Sequence, residues 1–303
     1  MTETRDKQDG QDKAAIEALA RQNVALALAE DVGGGDLTAG LVPDRLEVKA
    51  RVIAREPAVL CGAPWFEAAV RACEPTARLQ WEVAEGGRCA AEQVVVTITG
   101  QARGLLTAER IALNFLQLLS AVATKTSTYV DAVRGTGCAI VDTRKTLPGL
   151  RLAQKYAVRT GGGVNHRIGL YDAVLIKENH IAAAGGVTAA LQAAARVASQ
   201  ASFVEIEVET LDQLREALAG GARMVLLDNM PQALLHEAVR INAAAGAGAA
   251  ILEISGGVTF DSLKALAATG VDRISIGGLT KDVKATDFSM RFDDSLHSRK
   301  EAA

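Results

Sequence analysis

Between Asp142 and His180 the chain carries seven Lys/Arg against three Asp/Glu, in a protein whose formal net charge is −3. One basic stretch in a slightly acidic protein points to a small anionic ligand. Arg144 and Lys145 form one pair within it; His166 and Arg167 form another, just after Gly161-Gly162-Gly163, and Lys177 stands further on. A guanidinium fork suits a carboxylate bidentately, and a lysine ammonium is a point charge for phosphate or carboxylate. Glu207 and Asp228 add acids that can accept sugar hydroxyls or orient a magnesium-bound water. Glu205, Glu207 and Glu209 share one strand parity, so pattern alone does not select which of them reaches a ligand. Ser255-Gly256-Gly257-Val258-Thr259 and Gly277-Gly278 have the composition of a phosphate cradle, because glycine lets backbone N–H groups approach an anion. The first of these is expected to open a helix. His180, His236 and His297 are read as structural or surface residues. No HExxH, Ser–His–Asp pattern or P-loop is present, and no GxGxxG stands in a dinucleotide-binding context.

These residues need elements to converge them. Apolar runs at 138–142, 173–177, 203–208, 223–227, 250–254 and 272–276 read as short strands, with helical stretches at 187–198, 211–219, 231–243 and 259–269. Alternating βα units imply a parallel sheet with right-handed crossovers. Each run ends in a polar or glycine-rich group: Thr143-Arg144-Lys145, Lys177-Glu178-Asn179, Glu207, Asp228-Asn229, Ser255-Gly256-Gly257 and Gly277-Gly278. A barrel brings all its strand ends to one mouth, whereas an open doubly wound sheet gathers only a few at a crevice, so an incomplete barrel is favoured. Upstream, residues 12–30 repeat apolar positions at helical spacing and stop at Gly33-Gly34-Gly35. Period-two alternation over Val48–Ala54 and the run at 94–98 predict strands, Ala63–Cys73 a short helix, and Leu105–Val133 a long one. The fold class is therefore α/β: an N-terminal α/β sandwich domain (1–122, with 286–303 packing back onto it) and an incomplete (β/α) barrel (123–285).

Composition removes several function classes. The 303 residues are 49% hydrophobic and 23% charged, the balance of a globular protein. No uninterrupted apolar run reaches the about 18–20 residues that span a bilayer. The first ten residues are polar and charged, so a cytoplasmic location is expected. Cys61, Cys73, Cys89 and Cys138 show no CxxC spacing and are read as reduced thiols. The net charge speaks against a nucleic-acid or membrane-surface partner.

The strings VDTRKTLPGLRLAQKYAV (141–158), GGGVNHRIGLYDAVLIKENHI (161–181), VEIEVETLDQL (204–214), VLLDNM (225–230), EISGGV (253–258) and TAERIALNFLQLLSAVAT (107–124) resemble the quinolinate phosphoribosyltransferase family. The resemblance runs from about Glu30 to about Phe292. It implies quinolinate and 5-phosphoribosyl-1-pyrophosphate as substrates, Mg²⁺ as cofactor, and nicotinate mononucleotide, pyrophosphate and CO₂ as products, with the barrel being of the type II phosphoribosyltransferase kind. Carried over residue by residue, Thr143, Arg144, His166, Arg167 and Lys177 would hold quinolinate. Arg110 would be contributed from the neighbouring subunit of a homodimer, with a hexamer the alternative assembly. Lys145, Glu207 and Asp228 would be catalytic and face the sugar and pyrophosphate, the two acids also carrying Mg²⁺. Ser255, Gly256, Gly257, Gly277 and Gly278 would bind the 5-phosphate. Two departures stand out: Asp282 where many members have histidine, and Ser120-Ala121-Val122-Ala123-Thr124 in place of an SGxAT string. Other classes consistent with the residues are a Schiff-base lyase using Lys177 and an altered-substrate relative such as those accompanying molybdate uptake; the intact Arg144–Lys145 and His166–Arg167 pairs argue against the latter.

Overall fold

The computed structural model describes residues 2–293, with side chains from Asp12 onward. In chain order the elements are α1 (Thr2–Asp31), β1 (Glu47–Ala54), β2 (Ala58–Val59), α2 (Ala63–Cys73), β3 (Arg78–Trp81), β4 (Arg88–Cys89), β5 (Val94–Gln101) and α3 (Ala102–Ala132). There follow β6 (Ala139–Val141), α4 (Arg151–Thr160), β7 (Val174–Ile176), α5 (Glu178–Ala184), α6 (Val187–Ala195), β8 (Val204–Val208), α7 (Leu211–Ala219) and β9 (Met224–Asp228). The chain continues through α8 (Gln232–Ala244), β10 (Ile251–Ser255), α9 (Leu263–Ala267), β11 (Arg273–Ser275), α10 (Gly278–Lys281) and β12 (Phe288–Phe292). Two compact units result. One comprises the chain through Thr124, Leu152–Gly161 and the segment from Val283; the other comprises Lys125–Arg151 and Gly162–Asp282.

In the first unit, an antiparallel sheet of order β12-β1-β5-β3 forms because β1 alternates strictly. Val48, Ala50, Val52 and Ala54 are buried, while Glu47, Lys49 and Arg51 face water. β12 pairs with β1, Ala50 opposite Phe292; of the C-terminal segment 286–303, residues 294–303 lie outside the described part. Helix α3 is long and apolar enough, by length and composition, to cross a bilayer, although no uninterrupted apolar run announces it. Leu105, Leu113, Leu116 and Leu119 are buried to 2% exposure or less, which marks it as a core helix. Gly62, at φ +111°, lets the chain pass close to α3; a Cβ there would sit 3.3 Å from the Phe115 carbonyl oxygen. Helix α4 has no clear signal in the sequence. It buries Ala153, Ala157 and Val158, and Tyr156 donates to Glu85 Oε1 at 3.0 Å while its ring lies 5.4 Å from that of Trp65.

In the second unit, six parallel strands lie in the order β6-β11-β10-β9-β8-β7, each beside its chain neighbour except across the gap between β6 and β7. This is an incomplete (β/α) barrel. Val164 lies along the free edge of β6, accepting from Asp142 N at 3.1 Å and donating to Ile140 O at 2.8 Å. One strand parity (Ile140, Ile176, Ile206, Leu227, Ile254 and Ile274) packs with apolar residues of α6, α7, α8 and α9. The opposite parity carries Glu205, Glu207, Asp228, Glu253, Ser255 and Arg273.

One local expectation is corrected. The Ser255–Thr259 glycine segment does not open a helix: α9 begins at Leu263, after a turn in which Thr259 and Ser262 hydrogen-bond each other. It is Gly277-Gly278 that opens one, the four-residue α10.

Candidate active site

Because the six strands are parallel, their C-terminal ends share one edge of the sheet, and that edge carries the polar groups. Thr143, Arg144 and Lys145 follow β6; Lys177 caps α5 immediately after β7; Glu207 is the penultimate residue of β8; Asp228 and Ser255 end β9 and β10 as register partners; Gly277 and Gly278 follow β11.

The basic side is held from beneath. Asp142, fully buried, accepts from His166 N at 2.8 Å and from Asn165 Nδ2 at 2.6 Å. Arg167 N donates to His166 Nδ1 at 2.8 Å, and His166 Nε2 lies 2.7 Å from Glu205 Oε2. Both ring nitrogens are thus engaged inside the unit, and the residue is only 7% exposed. The imidazole thus rests on interior partners and sets the position of Arg167. Behind it, Glu253 Oε1 lies 3.6 Å from His166 Nε2, and Glu253 Oε2 lies 2.9 Å from Arg273 Nε. Burial and the Glu205 carboxylate push Glu253 up to about 7, against the pull of His166 and Arg273. His166, Glu205 and Glu253 have the spacing of a metal cluster, but their partners disfavour one. His166 Nδ1 already takes the Arg167 N–H, Nε2 is set against Glu205, and Arg273 supplies a positive charge beside Glu253.

Arg144 and Arg167 are close enough for their charges to oppose each other. Burial, and then Arg144, act against the Arg167 cation, while Asp172 and Glu205 favour it. The Arg144 Nε is buried without a hydrogen-bond partner. Two guanidiniums brought together with a donor unspent form a site that gains by taking up an anion. Arg151, which the sequence reading did not single out, steadies this loop by donating to Thr146 Oγ1 and Ile168 O, each at 3.1 Å.

Lys177 Nζ makes an ion pair with Glu207 Oε2 at 2.9 Å, so the ammonium is paired rather than set in an apolar pocket as a Schiff-base lysine would be. Burial raises the Glu207 carboxyl, opposed by that pair. Strand parity was right to group Glu205, Glu207 and Glu209, yet they separate by depth: Glu205 is interior, Glu207 meets Lys177, and Glu209 is exposed beyond the strand. Lys145 lies over Gly277, where a Cβ would meet its Cδ at 2.7 Å, and Thr280 Oγ1 donates to Lys145 O at 2.8 Å. Lys125 holds the next turn through Gly278 O (2.7 Å) and Asp282 O (3.0 Å), and Asp282 is paired with Lys281 at 2.7 Å. Gly256 and Gly257 adopt φ +91° and +57°, which only glycine takes readily. His180 Nδ1 accepts from Lys177 N at 3.0 Å and is part of the α5 cap; His297 lies outside the described residues. Arg110 is exposed on α3 and belongs to the first unit.

A parallel barrel whose mouth gathers two closely set arginines, two strand-end acids and glycine turns has the donor and acceptor set of a transferase of phosphorylated sugars. Residues 36–120 match the family described as "Quinolinate phosphoribosyl transferase, N-terminal domain", and residues 122–291 match its C-terminal domain. The "Nicotinate-nucleotide pyrophosphorylase [carboxylating]" of Mycobacterium leprae is 42% identical over 278 residues, covering 89% of this chain and 96% of that one. The "Probable nicotinate-nucleotide pyrophosphorylase [carboxylating]" of Bacillus subtilis is 40% identical over 261 residues, 86% of this chain and 89% of that one. The solved nicotinate-nucleotide pyrophosphorylase of Francisella tularensis superposes with a TM-score of 0.87 at 42% identity, over 91% of this chain and 97% of that one. The chain belongs to the quinolinate phosphoribosyltransferase family.

Proposed function

We propose that this protein is a pentosyltransferase that moves the phosphoribosyl group of 5-phosphoribosyl-1-pyrophosphate onto quinolinate and releases CO₂, forming nicotinate mononucleotide for NAD synthesis. The observation that carries the reading is the opposed Arg144–Arg167 pair, on the same sheet edge as Lys177, a set of cations suited to a rigid dicarboxylate. These three cations and Thr143 hold the two carboxylates so that the ring nitrogen faces the anomeric carbon. The nitrogen lone pair forms the new C–N bond as pyrophosphate departs with the electron pair of the broken C–O bond. The chain contributes chiefly orientation and electrostatics to that step. Glu207 and Asp228 hold the ribose hydroxyls, Lys145 faces the pyrophosphate, and the turns at Ser255–Gly257 and Gly277–Gly278 receive the 5-phosphate. The ring nitrogen is then cationic, so the carboxylate next to it leaves as CO₂. The electron pair left on the ring carbon is stabilised by the adjacent charge until a proton arrives.

The donor set also suits Mg²⁺. Glu207 and Asp228 offer hard oxygen ligands from adjacent strands, and when bound the ion would neutralise charge on the pyrophosphate. The reading includes a homodimer in which the exposed Arg110 completes the neighbouring site, and a cytoplasmic location, which the four free thiols support.

The test is release of labelled CO₂ from quinolinate. We expect release only when 5-phosphoribosyl-1-pyrophosphate is present; none with both substrates overturns the assignment. In the same assay, mixing Arg110→Ala and Lys177→Ala chains is expected to restore part of the release through mixed dimers, and no restoration counts against the shared site.

A further inference from the structure

Asn229 stands between the two halves of the sugar-phosphate subsite, and the reaction outlined above gives it no task. It follows Asp228 directly at the end of β9 and holds φ +51°, one of three non-glycine residues with positive φ among the described residues. Its backbone N donates to Ser255 O at 3.1 Å, continuing the β9–β10 pairing past the strand end. Its side chain makes two approaches. Nδ2 donates to Asp228 Oδ2 at 2.8 Å. The carboxamide also fills the space over Gly256, where a Cβ would meet Asn229 Oδ1 at 2.1 Å, Cγ at 2.6 Å and Nδ2 at 3.0 Å.

Asparagine tolerates the left-handed region better than other residues with a side chain, but the region still costs free energy unless something holds it. Here the twisted backbone aims one carboxamide at two partners. One face of the group fixes the rotamer of an acid; its flat body sets how closely the glycine turn approaches. A glycine in that turn is required twice, by its own φ of +91° and by the presence of Asn229.

We infer that Asn229 is a positioning residue that couples the ribose-facing carboxylate of Asp228 to the phosphate turn at Gly256, so that one side chain sets both ends of the phosphorylated sugar. The inference rests on the reaction proposed above. A purely structural asparagine would stabilise the turn without discriminating between the two substrates.

A double-mutant cycle separates these roles. Asn229→Gly keeps the backbone conformation while removing both side-chain contacts. We expect kcat/KM for 5-phosphoribosyl-1-pyrophosphate to fall about ten- to hundredfold, the range for losing a hydrogen bond to a charged group, mostly through KM. KM for quinolinate should stay within about twofold, and the melting midpoint should be kept. Gly256→Ala should impair the sugar substrate strongly in the wild-type background and by a smaller factor in Asn229→Gly, because the atom it collides with is gone. Sugar kinetics within twofold of wild type in Asn229→Gly overturn the inference. So do multiplicative losses in the double variant, an equal rise of both KM values, or loss of folding in Asn229→Gly. A wild-type protein without sugar-dependent CO₂ release overturns the reaction and this inference together; an active wild type with any of the former results overturns the inference alone.

Discussion

The two sheets use the same alternation to opposite ends. In each, one strand parity is apolar and packs on helices. In β1 the other parity is Glu47, Lys49 and Arg51, which reach water at little cost. In the parallel sheet the other parity turns inward and presents Glu205, Glu253 and Arg273, with both acids fully buried. Desolvating such groups is expensive, and ion pairs among them add little net stability. What the interior charges provide is position: they grip His166, and through it Arg167, directly below the mouth. Antiparallel strands scatter their ends over both edges of a sheet, whereas parallel strands collect theirs on one. Only the second arrangement can turn the cost of buried polarity into a site.

That contrast predicts different failures. Phe66 is fully buried in the first unit and packs edge-on against Trp81 at 5.6 Å. Phe66→Ala should destabilise by about 3–5 kcal/mol in denaturant titration while turnover per folded molecule is kept. A stable variant with lost turnover would blur the division between packing and chemistry. In the second unit, Arg144→Ala and Lys177→Ala should each lower kcat/KM about a hundred- to a thousandfold with the melting midpoint preserved. Near-wild-type kinetics in both would remove the anion pocket from the mechanism.

The smallest effect concerns the interior acids. Glu253 titrates higher in the fold than its ordinary value of 4.5, at about 7. Between those values the folded form holds a proton that the unfolded chain has released, so stability falls as pH rises through this window and levels off above it. Glu253→Gln lacks that titration. Its melting midpoint, taken relative to wild type, should therefore improve as pH rises from 4.5 to 7; a flat difference would show that Glu253 is not raised.

Much of the parallel sheet was legible because strands packed on both sides read as short apolar runs between helical stretches. Strand-end placement was legible for the same reason: Lys145, Lys177, Glu207 and Asp228 each stand just before or after a break in such a run. What escaped was set by depth and conformation. Parity groups Glu205 with Glu207 but cannot tell an interior acid from one at the mouth. His166 is a candidate ligand by type, and no pattern announces that its ring rests on Glu205 and on the Arg167 N–H. Asn229 reads only as one more polar strand-end residue, since its interest lies in a positive φ. The helix over Arg151–Thr160 is too polar along its length to declare which unit it serves, and β3 and β12 are too short for alternation to stand out. The glycine turn after β10 gives no sign that four residues, Val258 to Asp261, separate it from Ser262, the N-cap position of the next helix.

The pairing of β1 with β12 has a consequence for how the molecule is made. Arg51 and Asp293, joined by an ion pair beside that ladder, are 242 residues apart in sequence. During vectorial synthesis β1 emerges long before β12, so its sheet lacks that edge strand until Phe288–Phe292 has left the ribosome. All six strands of the parallel sheet are available earlier. The first unit to be translated is therefore the last to be completed, with the unprotected edge of β1 exposed to wrong partners throughout the interval.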